Sequence, residues 1–294
     1  MGKKNAKNQT LKKLSGKEGF DVYYAEIFGT RWENLKCALS LENKYATWQV
    51  QDKEKYFLDP ASVFAASLLP LDGAKEILDL CAAPGGKTLV ISSRMGSESV
   101  LVSNERSASR KQRLSLVCDN CLPQDIRSRI KISCSDGSKW CTTQIECYDR
   151  ILLDVPCSSE RHVLADEKYL DDWSPSRVKS LAMEQWALLS SAWRLLRTGG
   201  YLLYSTCALC PLENDGVISR LLKKFEGAEQ VFLDEESVQK AWNETFESVK
   251  KFCSDMPSLF PERTQCGFHI LPDKQNGYGP IWFVLLHKTK PVIK

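Results

Sequence analysis

The chain has 294 residues, of which 43% are hydrophobic and 26% are charged, and its formal net charge is +3. This length suits one large domain with a small addition, and the composition is that of an ordinary globular protein. No apolar run is long enough to cross a membrane, and the small net charge excludes a protein that is basic over its whole surface, so any contact with nucleic acid must be local.

The first seventeen residues form a lysine-rich tail with six Lys and no Arg. We predict that residues 1–17 are flexible, either as a solvated tail or as an arm that contacts nucleic-acid phosphates. The segment lacks both the apolar centre of a secretory signal and the arginines of a mitochondrial one. We therefore expect a cytoplasmic protein.

Residues 18–57 are predicted to form a small helical segment. Apolar residues from Phe20 to Leu41 recur at intervals of three and four, which is the pattern of one buried helix face. Gly29 is expected to break or bend this helix. We expect the apolar face to pack against the rest of the protein.

From residue 58 onward, strand and helix patterns alternate, which predicts an α/β fold with a mostly parallel sheet. Gly199-Gly200 is expected to end the long helix before the fifth strand. Residues 234–257 have too weak a pattern to predict an element. The predicted strands are one that begins at Glu76, then Val100–Val102, Ile130–Ile132, Tyr148–Asp154, Tyr201–Tyr204, Val231–Leu233 and Ile281–Leu286; the predicted helices include Val63–Leu69, Ser107–Asp119 and Arg177–Leu196.

The stretch from Glu76 to Thr88 carries the strongest ligand signal. Its apolar run is interrupted by Pro84, Gly85 and Gly86 and then resumes with helical spacing, which predicts a strand, a glycine turn and a helix. Glycines let the backbone approach a ligand closely, and the first N–H groups of the helix point toward that ligand.

Two familiar nucleotide loops do not fit this stretch. The phosphate loop of triphosphatases needs a glycine where Cys81 stands, and the Gly-x-Gly-x-x-Gly of dinucleotide enzymes is missing. S-adenosylmethionine, a nucleoside without a triphosphate, is the obvious remaining candidate. Glu105 and Asp136 end the next two strands, where the first can bind ribose hydroxyls and the second an adenine amine.

The chain has twelve cysteines and no export signal, so we expect free thiols. The pairs Cys118/Cys121 and Cys207/Cys210 imitate halves of a zinc site, but they lie too far apart in sequence to form one. We therefore predict no metal.

Two other cysteines follow strand ends. Cys157 ends Asp154-Val155-Pro156-Cys157, and Cys207 ends Ser205-Thr206-Cys207. If the two strands are neighbours, about 4.8 Å apart, both thiols lie at one edge of the sheet.

Methylation at carbon 5 of a cytosine is the chemistry that needs such thiols. A thiolate that adds to carbon 6 makes carbon 5 nucleophilic enough to attack a methyl donor. The cation of Lys87 could help to ionise a thiol, and the carboxyl group of Asp154 could hydrogen-bond the base as it accepts electrons.

These three motifs, Asp79 to Thr88, Asp154 to Cys157 and Ser205 to Cys207, resemble those of the Nop/Sun family of RNA cytosine-5 methyltransferases. The resemblance covers the chain from Leu58 onward and implies a catalytic domain over residues 58–294. It implies the class I methyltransferase (Rossmann-like) fold, with a seven-stranded sheet whose last strand is antiparallel. It also implies that Cys207 is the nucleophile and that Cys157 assists product release. The implied S-adenosylmethionine contacts are Cys81, Ala82, Ala83, Pro84, Gly85, Gly86, Lys87, Glu105, Asp136 and Asp154.

Some segments depart from the family pattern. Ser158 to His162 replaces a glycine-containing loop, Leu58 stands where Gln commonly precedes Asp59, and Gly279-Pro280-Ile281-Trp282 replaces Asp-Gly-Phe-Phe. The chain also ends soon after its last strand, so we expect no C-terminal RNA-binding domain. RNA would then be held by the N-terminal segment and by basic residues. The candidates are Arg106, Arg110, Lys111, Arg113, Arg161 and Arg177. His162 is either structural or a phosphate contact, and His269 and His287 are not expected to take part.

We therefore predict an S-adenosylmethionine-dependent RNA (cytosine-5)-methyltransferase that acts as a monomer, without metal or membrane. Ribosomal RNA is the first expected substrate and transfer RNA is the alternative. Two other readings stay open: a methyltransferase for a small molecule or a protein, and an RNA-binding assembly factor without turnover. The pair Cys157 and Cys207 argues against the latter, since binding alone needs neither thiol.

Overall fold

A computed structural model describes residues 15–292 of the chain. The helices are α1 Gly16–Phe28, α2 Trp32–Leu39, α3 Pro60–Ser67, α4 Gly86–Ser92, α5 Ala108–Cys121, α6 Gln124–Arg127, α7 Glu160–Ala165, α8 Glu167–Asp171, α9 Pro175–Leu195, α10 Asp215–Lys224 and α11 Glu235–Lys250, with short 3₁₀ helices at Gly29–Arg31 and Gly137–Thr142. The strands are β1 Ala46–Trp48, β2 Tyr56–Leu58, β3 Glu76–Asp79, β4 Val100–Asn104, β5 Ile130–Ser133, β6 Tyr148–Asp154, β7 Leu196–Thr206, β8 Ala228–Gln230, β9 Cys253–Ser254, β10 Glu262–Arg263, β11 Phe268–Ile270 and β12 Ile281–Lys288.

The main sheet has the strand order β10-β11-β12-β7-β6-β3-β4-β5, and β8 also pairs with β12. β3 to β7 run parallel, whereas β12 is antiparallel to β7, β8 and β11. β6 and β7 are neighbours, and Asp154 at the end of β6 pairs with Ser205 in β7. The two cysteine motifs therefore leave the sheet side by side.

The structure confirms the predicted fold class and the antiparallel last strand. The sheet contains nine strands where seven were expected, because β10 and β11 add two short antiparallel strands beside β12. The strand predicted at Val231–Leu233 was misplaced. It lies at Ala228–Gln230, opposite the end of β12, and Leu233 is 66% exposed.

The predicted role of Gly199-Gly200 was wrong. Helix α9 already ends at Leu195, because its last carbonyl groups accept hydrogen bonds from the backbone N–H groups of Glu146 and Cys147. The two glycines lie inside β7, where a Cβ on Gly200 would stand 2.8 Å from the carbonyl oxygen of Asp149. Gly200 thus permits a close approach of β6 instead of ending a helix.

Side-chain caps fix where several helices begin. Asp59 precedes α3, whose first residue is Pro60, and its Oδ1 accepts a hydrogen bond from the N–H of Ser62. Such caps satisfy backbone donors that have no partner inside the helix, and proline suits the first helical position. Similar caps come from Ser107, Ser174 and Asp234.

The N-terminal helices pack against the segments that follow β6 and β7, and the apolar pattern predicted that they would pack on the rest of the protein. Gly29 begins the 3₁₀ turn between α1 and α2, which confirms the predicted bend. Phe20, Tyr24 and Trp32 are buried in one cluster with Val163 and other residues of the segments that follow β6 and β7. This cluster attaches α1 and α2 to the loops that carry the two cysteines.

A second, three-stranded sheet was not foreseen. It has the order β2-β1-β9, with both pairings antiparallel, and it joins residues 46–58 to residues 253–254. The segment that gave no prediction, residues 234–257, supplies α11 and β9. The predicted division at residue 58 stays a prediction.

Most of the predicted flexible tail, residues 1–14, lies outside the described residues. Its last residues, Gly16 and Lys17, begin α1. None of the helices within residues 15–292 is both long enough and apolar enough to span a membrane.

Candidate active site

The glycine turn forms as predicted between β3 and α4. Gly85 has a φ of +121°, and a Cβ at this position would lie 3.0 Å from Cγ1 of Val117. An L side chain rarely adopts this conformation, so glycine is required here. The side chain of Arg110 donates to the carbonyl of Ala83 at 2.6 Å, and the N–H of Ala82 donates to the carbonyl of Asn104 at 2.8 Å.

Two cavities meet at Cys81. The larger, about 220 Å³, is lined by seven of the predicted positions, and the smaller, about 50 Å³, lies at the ends of β4 and β5. The first contains Cys81, Ala82, Ala83, Pro84, Gly86, Lys87 and Asp154, and the second contains Cys81, Glu105 and Asp136. The predicted cofactor positions thus surround one continuous region of the surface.

The carboxyl groups of the smaller cavity are held in place by local hydrogen bonds. Oε1 of Glu105 accepts from the N–H of Ser107, and Oε2 lies 3.4 Å from Arg110. Asp136 accepts from the N–H and the hydroxyl of Ser138, and the hydroxyl bond is the main cause that lowers the pKa of Asp136. Both groups retain acceptor capacity for a nucleoside.

Asp79 is a site residue that the sequence analysis did not single out. Its Oδ2 accepts from the hydroxyl of Thr88 at 2.7 Å, but within the described part of the chain its buried Oδ1 has no hydrogen-bond partner. Burial is the main cause that raises the pKa of Asp79 to about 7. Since Asp79 lines the larger cavity, this oxygen fits a ligand that brings a hydrogen-bond donor, such as the ammonium group of S-adenosylmethionine.

Lys87 and Asp154 form an ion pair beside the larger cavity. Nζ of Lys87 lies 2.7 Å from Oδ2 of Asp154 and 3.3 Å from Oγ of Ser62, and Oδ1 of Asp154 accepts from Ser205 at 2.7 Å. Burial lowers the pKa of Lys87, but the charge and the hydrogen bond of Asp154, together with smaller contributions from Cys207 and Asp59, outweigh it and the pKa is raised. The lysine cation is thus directed at the carboxylate, although Cys207 is near enough to contribute to this shift.

The structure brings the two predicted thiols together. Sγ of Cys157 lies 2.8 Å from Sγ of Cys207, and the hydroxyl of Ser159 lies 3.3 Å from the first sulfur and 3.4 Å from the second. The hydrogen bond between the thiols lowers the pKa of Cys157 and raises that of Cys207. One proton held between two sulfurs makes the first ionisation of the pair easier and the second harder.

A buried carboxyl network behind the thiols was missed by the sequence analysis. Glu160 accepts from the hydroxyl of Tyr24 and from the N–H of Leu209, while Glu213 accepts from the N–H of Ser158 and from the side chain of Gln185. The one available signal was position, since Glu160 lies three residues after Cys157 and Glu213 six after Cys207.

The predicted RNA contacts divide into two groups. Arg110 and Arg161 donate to backbone carbonyls, Arg161 to those of Leu41 and Gly277, and therefore hold loops together. Arg106 is 65% exposed and pairs with Glu184. Arg113 and Arg177 are exposed, and Lys111 is half-buried.

The three histidines make local contacts. The ring of His162 lies 4.9 Å from that of Tyr169, His269 is buried in β11, and His287 stacks on Tyr201. Burial lowers the pKa of His269 to about 4. Residues 15–292 contain no cluster of three or more His, Cys, Asp or Glu that could hold a metal ion.

Comparison with known proteins adds a family assignment to this geometry. The model of the family described as 16S rRNA methyltransferase RsmB/F matches residues 66–272. The mouse (Mus musculus) 5-cytosine rRNA methyltransferase NSUN4 is 34% identical over 79% of the chain, and the chain spans 60% of the length of that relative. A mouse mitochondrial tRNA (cytosine(34)-C(5))-methyltransferase is 30% identical over 87% of the chain and 71% of its own length.

Solved structures share the fold. A methyltransferase homologue from Pyrococcus horikoshii superposes with a TM-score of 0.63 and 17% identity, over 90% of this chain and 93% of that one. NSun6 from the same organism, solved with SFG, gives a TM-score of 0.58 and 23% identity, over 80% of this chain and 53% of that one. The similarity therefore extends over most of the described chain.

Proposed function

The chain belongs to the RsmB/F family of 16S rRNA methyltransferases, and from that membership we propose that it transfers a methyl group from S-adenosylmethionine to carbon 5 of a cytosine in RNA. The observation that carries this proposal is the thiol pair, with Sγ of Cys157 and Sγ of Cys207 2.8 Å apart at the ends of adjacent strands. Ribosomal RNA is the proposed substrate, because the family description and the mouse relative at 34% identity both name it.

The residues of the two cavities bind and orient the cofactor. Glu105 and Asp136 accept hydrogen bonds from its ribose and adenine, and Oδ1 of Asp79 accepts one from its ammonium group. S-adenosylmethionine supplies an electrophilic methyl group. The glycine turn places the backbone of residues 81–86 against it.

The thiols perform the covalent step. Cys157 accepts the proton of Cys207 as Sγ of Cys207 bonds to carbon 6 of the cytosine. The electron pair of the carbon 5–carbon 6 double bond moves onto carbon 5, which becomes nucleophilic. Asp154 accepts a hydrogen bond from the exocyclic amine of the base, and Lys87 forms an ion pair with this carboxylate. Carbon 5 takes the methyl group and releases its proton to solvent. The electron pair of that C–H bond re-forms the double bond and expels Cys207 as a thiolate, which takes back the proton held by Cys157.

A labelling experiment tests the reaction. The protein is incubated with methyl-labelled S-adenosylmethionine and unmodified total RNA, the RNA is separated by size, and the labelled nucleoside is identified by mass spectrometry. We expect 5-methylcytidine in ribosomal RNA and none with Cys207→Ala. Label in transfer RNA would favour the alternative substrate, for which the relative at 30% identity gives support. Absence of label despite cofactor binding would refute the enzymatic proposal.

The two thiols have separable roles. Cys157→Ala should still form the bond to RNA, with solvent accepting the proton of Cys207, but should release it poorly, because the donor that protonates the departing Cys207 is gone. A protein–RNA adduct that survives denaturing gels should therefore accumulate in Cys157→Ala and be absent in Cys207→Ala. The reverse pattern would show that the two roles are exchanged.

Location and oligomeric state remain proposals. Residues 1–14, from which a cytoplasmic location was inferred, lie outside the described residues, and one relative is named as mitochondrial. Cell fractionation and light scattering test the proposed cytoplasmic monomer. RNA contact by the exposed Arg113 and Arg177 is tested by charge-removing variants, which should weaken binding and lessen its salt dependence.

A further inference from the structure

Two buried carboxyl groups face each other behind the thiol pair. Glu160 and Glu213 are both 0% exposed, and the hydroxyl of Ser158 lies between them. Oγ of Ser158 is 2.6 Å from Oε2 of Glu213 and also contacts Oε1 of Glu160. Ser158 directly follows Cys157, so this arrangement borders the proposed catalytic loop.

Proton counting shows that both carboxyl groups cannot be ionised. A serine hydroxyl has one proton and donates to one acceptor at a time. Ser158 nevertheless has a carboxyl oxygen at hydrogen-bonding distance on each side. One of the two carboxyl groups must therefore carry a proton and donate it to Oγ of Ser158.

The other partners identify which carboxyl is protonated. Oε1 of Glu160 accepts from Tyr24 and Oε2 accepts from the N–H of Leu209, so both oxygens already receive protons. Oε1 of Glu213 accepts from the N–H of Ser158 and from Nε2 of Gln185, both at 2.9 Å. Within residues 15–292, Oε2 of Glu213 contacts the hydroxyl of Ser158 and no other donor. All hydrogen bonds are satisfied when Glu160 is ionised and Glu213 is neutral.

We propose that Glu213 is a positioning residue whose carboxyl group retains a proton and donates it to Ser158, and thereby holds the loop of Cys157 against Cys207. The link to the loop is threefold, because Glu213 also binds the N–H of Ser158 and orients Gln185, which donates to the carbonyl of Pro156. The inference rests on the proposed function for the role of the loop, but not for the location of the proton.

The surroundings of Glu213 favour its neutral form. Besides Glu160, the titratable groups that face it are those of Cys157, Tyr23, Tyr24, Tyr204 and Cys210, and every one of them becomes negative when it ionises. Burial, followed by the charge of Glu160, raises the pKa of Glu213 to about 8. Ionisation at alkaline pH would leave two carboxylates facing each other across Ser158, and their repulsion would displace the loop.

Substitution by glutamine should be tolerated at Glu213 and damaging at Glu160. Glutamine copies a protonated carboxyl group, so in Glu213→Gln its amide donates to Oγ of Ser158 and its oxygen accepts as before. In Glu160→Gln the amide nitrogen faces either the hydroxyls or the N–H of Leu209. In the first case the proton of Ser158 loses its acceptor, and in the second a donor stands opposite a donor. We expect methylation by Glu213→Gln within about threefold of wild type at neutral pH, and a loss of about tenfold or more in Glu160→Gln.

The pH profile separates positioning from mere packing. Activity of the wild type should decline above about pH 8 as Glu213 ionises, whereas the alkaline limb of Glu213→Gln should lie about one pH unit higher. An unchanged limb would overturn the proposal, since a purely structural glutamate would not govern it. Glu236→Gln, at an exposed position of α11, is the matched control and should behave as wild type.

Two measurements need no RNA and distinguish failure of this inference from failure of the proposed function. Infrared spectra should show the carbonyl stretch of a protonated carboxyl that vanishes from the wild type as the pH rises through about 8 and is missing from Glu213→Gln; the band of Asp79 is separate from it and should vanish through about pH 7 in both proteins. Iodoacetamide labelling of Cys157, followed by mass spectrometry, should rise over the same pH range more steeply in the wild type than in Glu213→Gln. Loss of the infrared band in Glu160→Gln instead, or no band in the wild type, would overturn the inference. If Glu213→Gln fails to fold, the pH dependence of the wild-type band decides the question.

Discussion

Tyr24→Phe tests whether helix α1 supports the catalytic loop through a single hydrogen bond. Tyr24 is 0% exposed, and its hydroxyl donates to Glu160, 136 residues further along the chain. The variant keeps the ring, which lies 5.2 Å from that of Trp32 and 4.7 Å from that of Phe20, so packing is preserved. The whole effect is therefore the loss of one donor to a buried carboxylate.

Hydrogen bonds to charged groups contribute about 1.5–3 kcal/mol, so we expect Tyr24→Phe to lose about 2 kcal/mol of unfolding free energy. With a urea m-value of about 3 kcal/mol/M, the unfolding midpoint should fall by about 0.7 M. Urea unfolding followed by circular dichroism measures this shift. Tyr45→Phe, at a side chain that is 53% exposed, is the control and should change stability by less than about 0.5 kcal/mol. If both variants match the wild type, α1 does not support the loop through this bond.

Other parts of the site give three further predictions. Lys87→Met leaves Asp154 without its ion-pair partner. Since the two side chains are only 14% and 31% exposed, we expect the free energy of unfolding, measured by thermal unfolding, to fall by about 2 kcal/mol and methylation to be lost. Unchanged stability would contradict the pairing. Gly267→Ala places a Cβ against the ring of Trp282 and 2.6 Å from the carbonyl oxygen of Phe283, which should cost about 1–3 kcal/mol, and wild-type stability in calorimetry would disprove the clash. Burial raises the pKa of Asp79 from 3.8 to about 7, so the unfolded chain releases this proton first and folding stability falls as the pH rises through that window. The melting temperature of Asp79→Asn relative to that of the wild type should consequently rise between about pH 4 and about pH 7 and stay level above about pH 7. A constant difference at all pH values would be inconsistent with this titration.

The sequence was informative wherever chemistry depends on residues that are close along the chain. The glycine turn and the two cysteine motifs each occupy a short segment at a strand end, and the parallel order of β6 and β7 brings Cys157 to Cys207. Local patterns also identified the long helix α9 and the bent N-terminal helix.

What the sequence did not reveal depends on tertiary contacts. Glu160 and Glu213 lie in polar stretches that are typical of solvated loops. Their burial depends on residues remote in sequence, Tyr24 for Glu160 and Gln185 for Glu213. Arg161 was expected to contact RNA, yet it donates to backbone carbonyls that only the fold brings within reach. The strand β8 was placed at the wrong residues because Ala228–Gln230 has no apolar alternation. Its pairing with the end of β12 is what makes it a strand.

The small sheet β2-β1-β9 has a consequence for how the chain folds during synthesis. Trp48 in β1 pairs with Cys253 in β9, which follows it by 253 − 48 = 205 residues. A ribosome adds about 5–20 residues per second, so β1 must wait on the order of 10–40 seconds for its second neighbour. During that interval the hairpin of β1 and β2 has one unpaired edge, which is a site for pairing with another chain. Chaperone demand should therefore be greatest before β9 emerges, and a nascent chain stalled shortly before Cys253 should aggregate more readily than one released after β12.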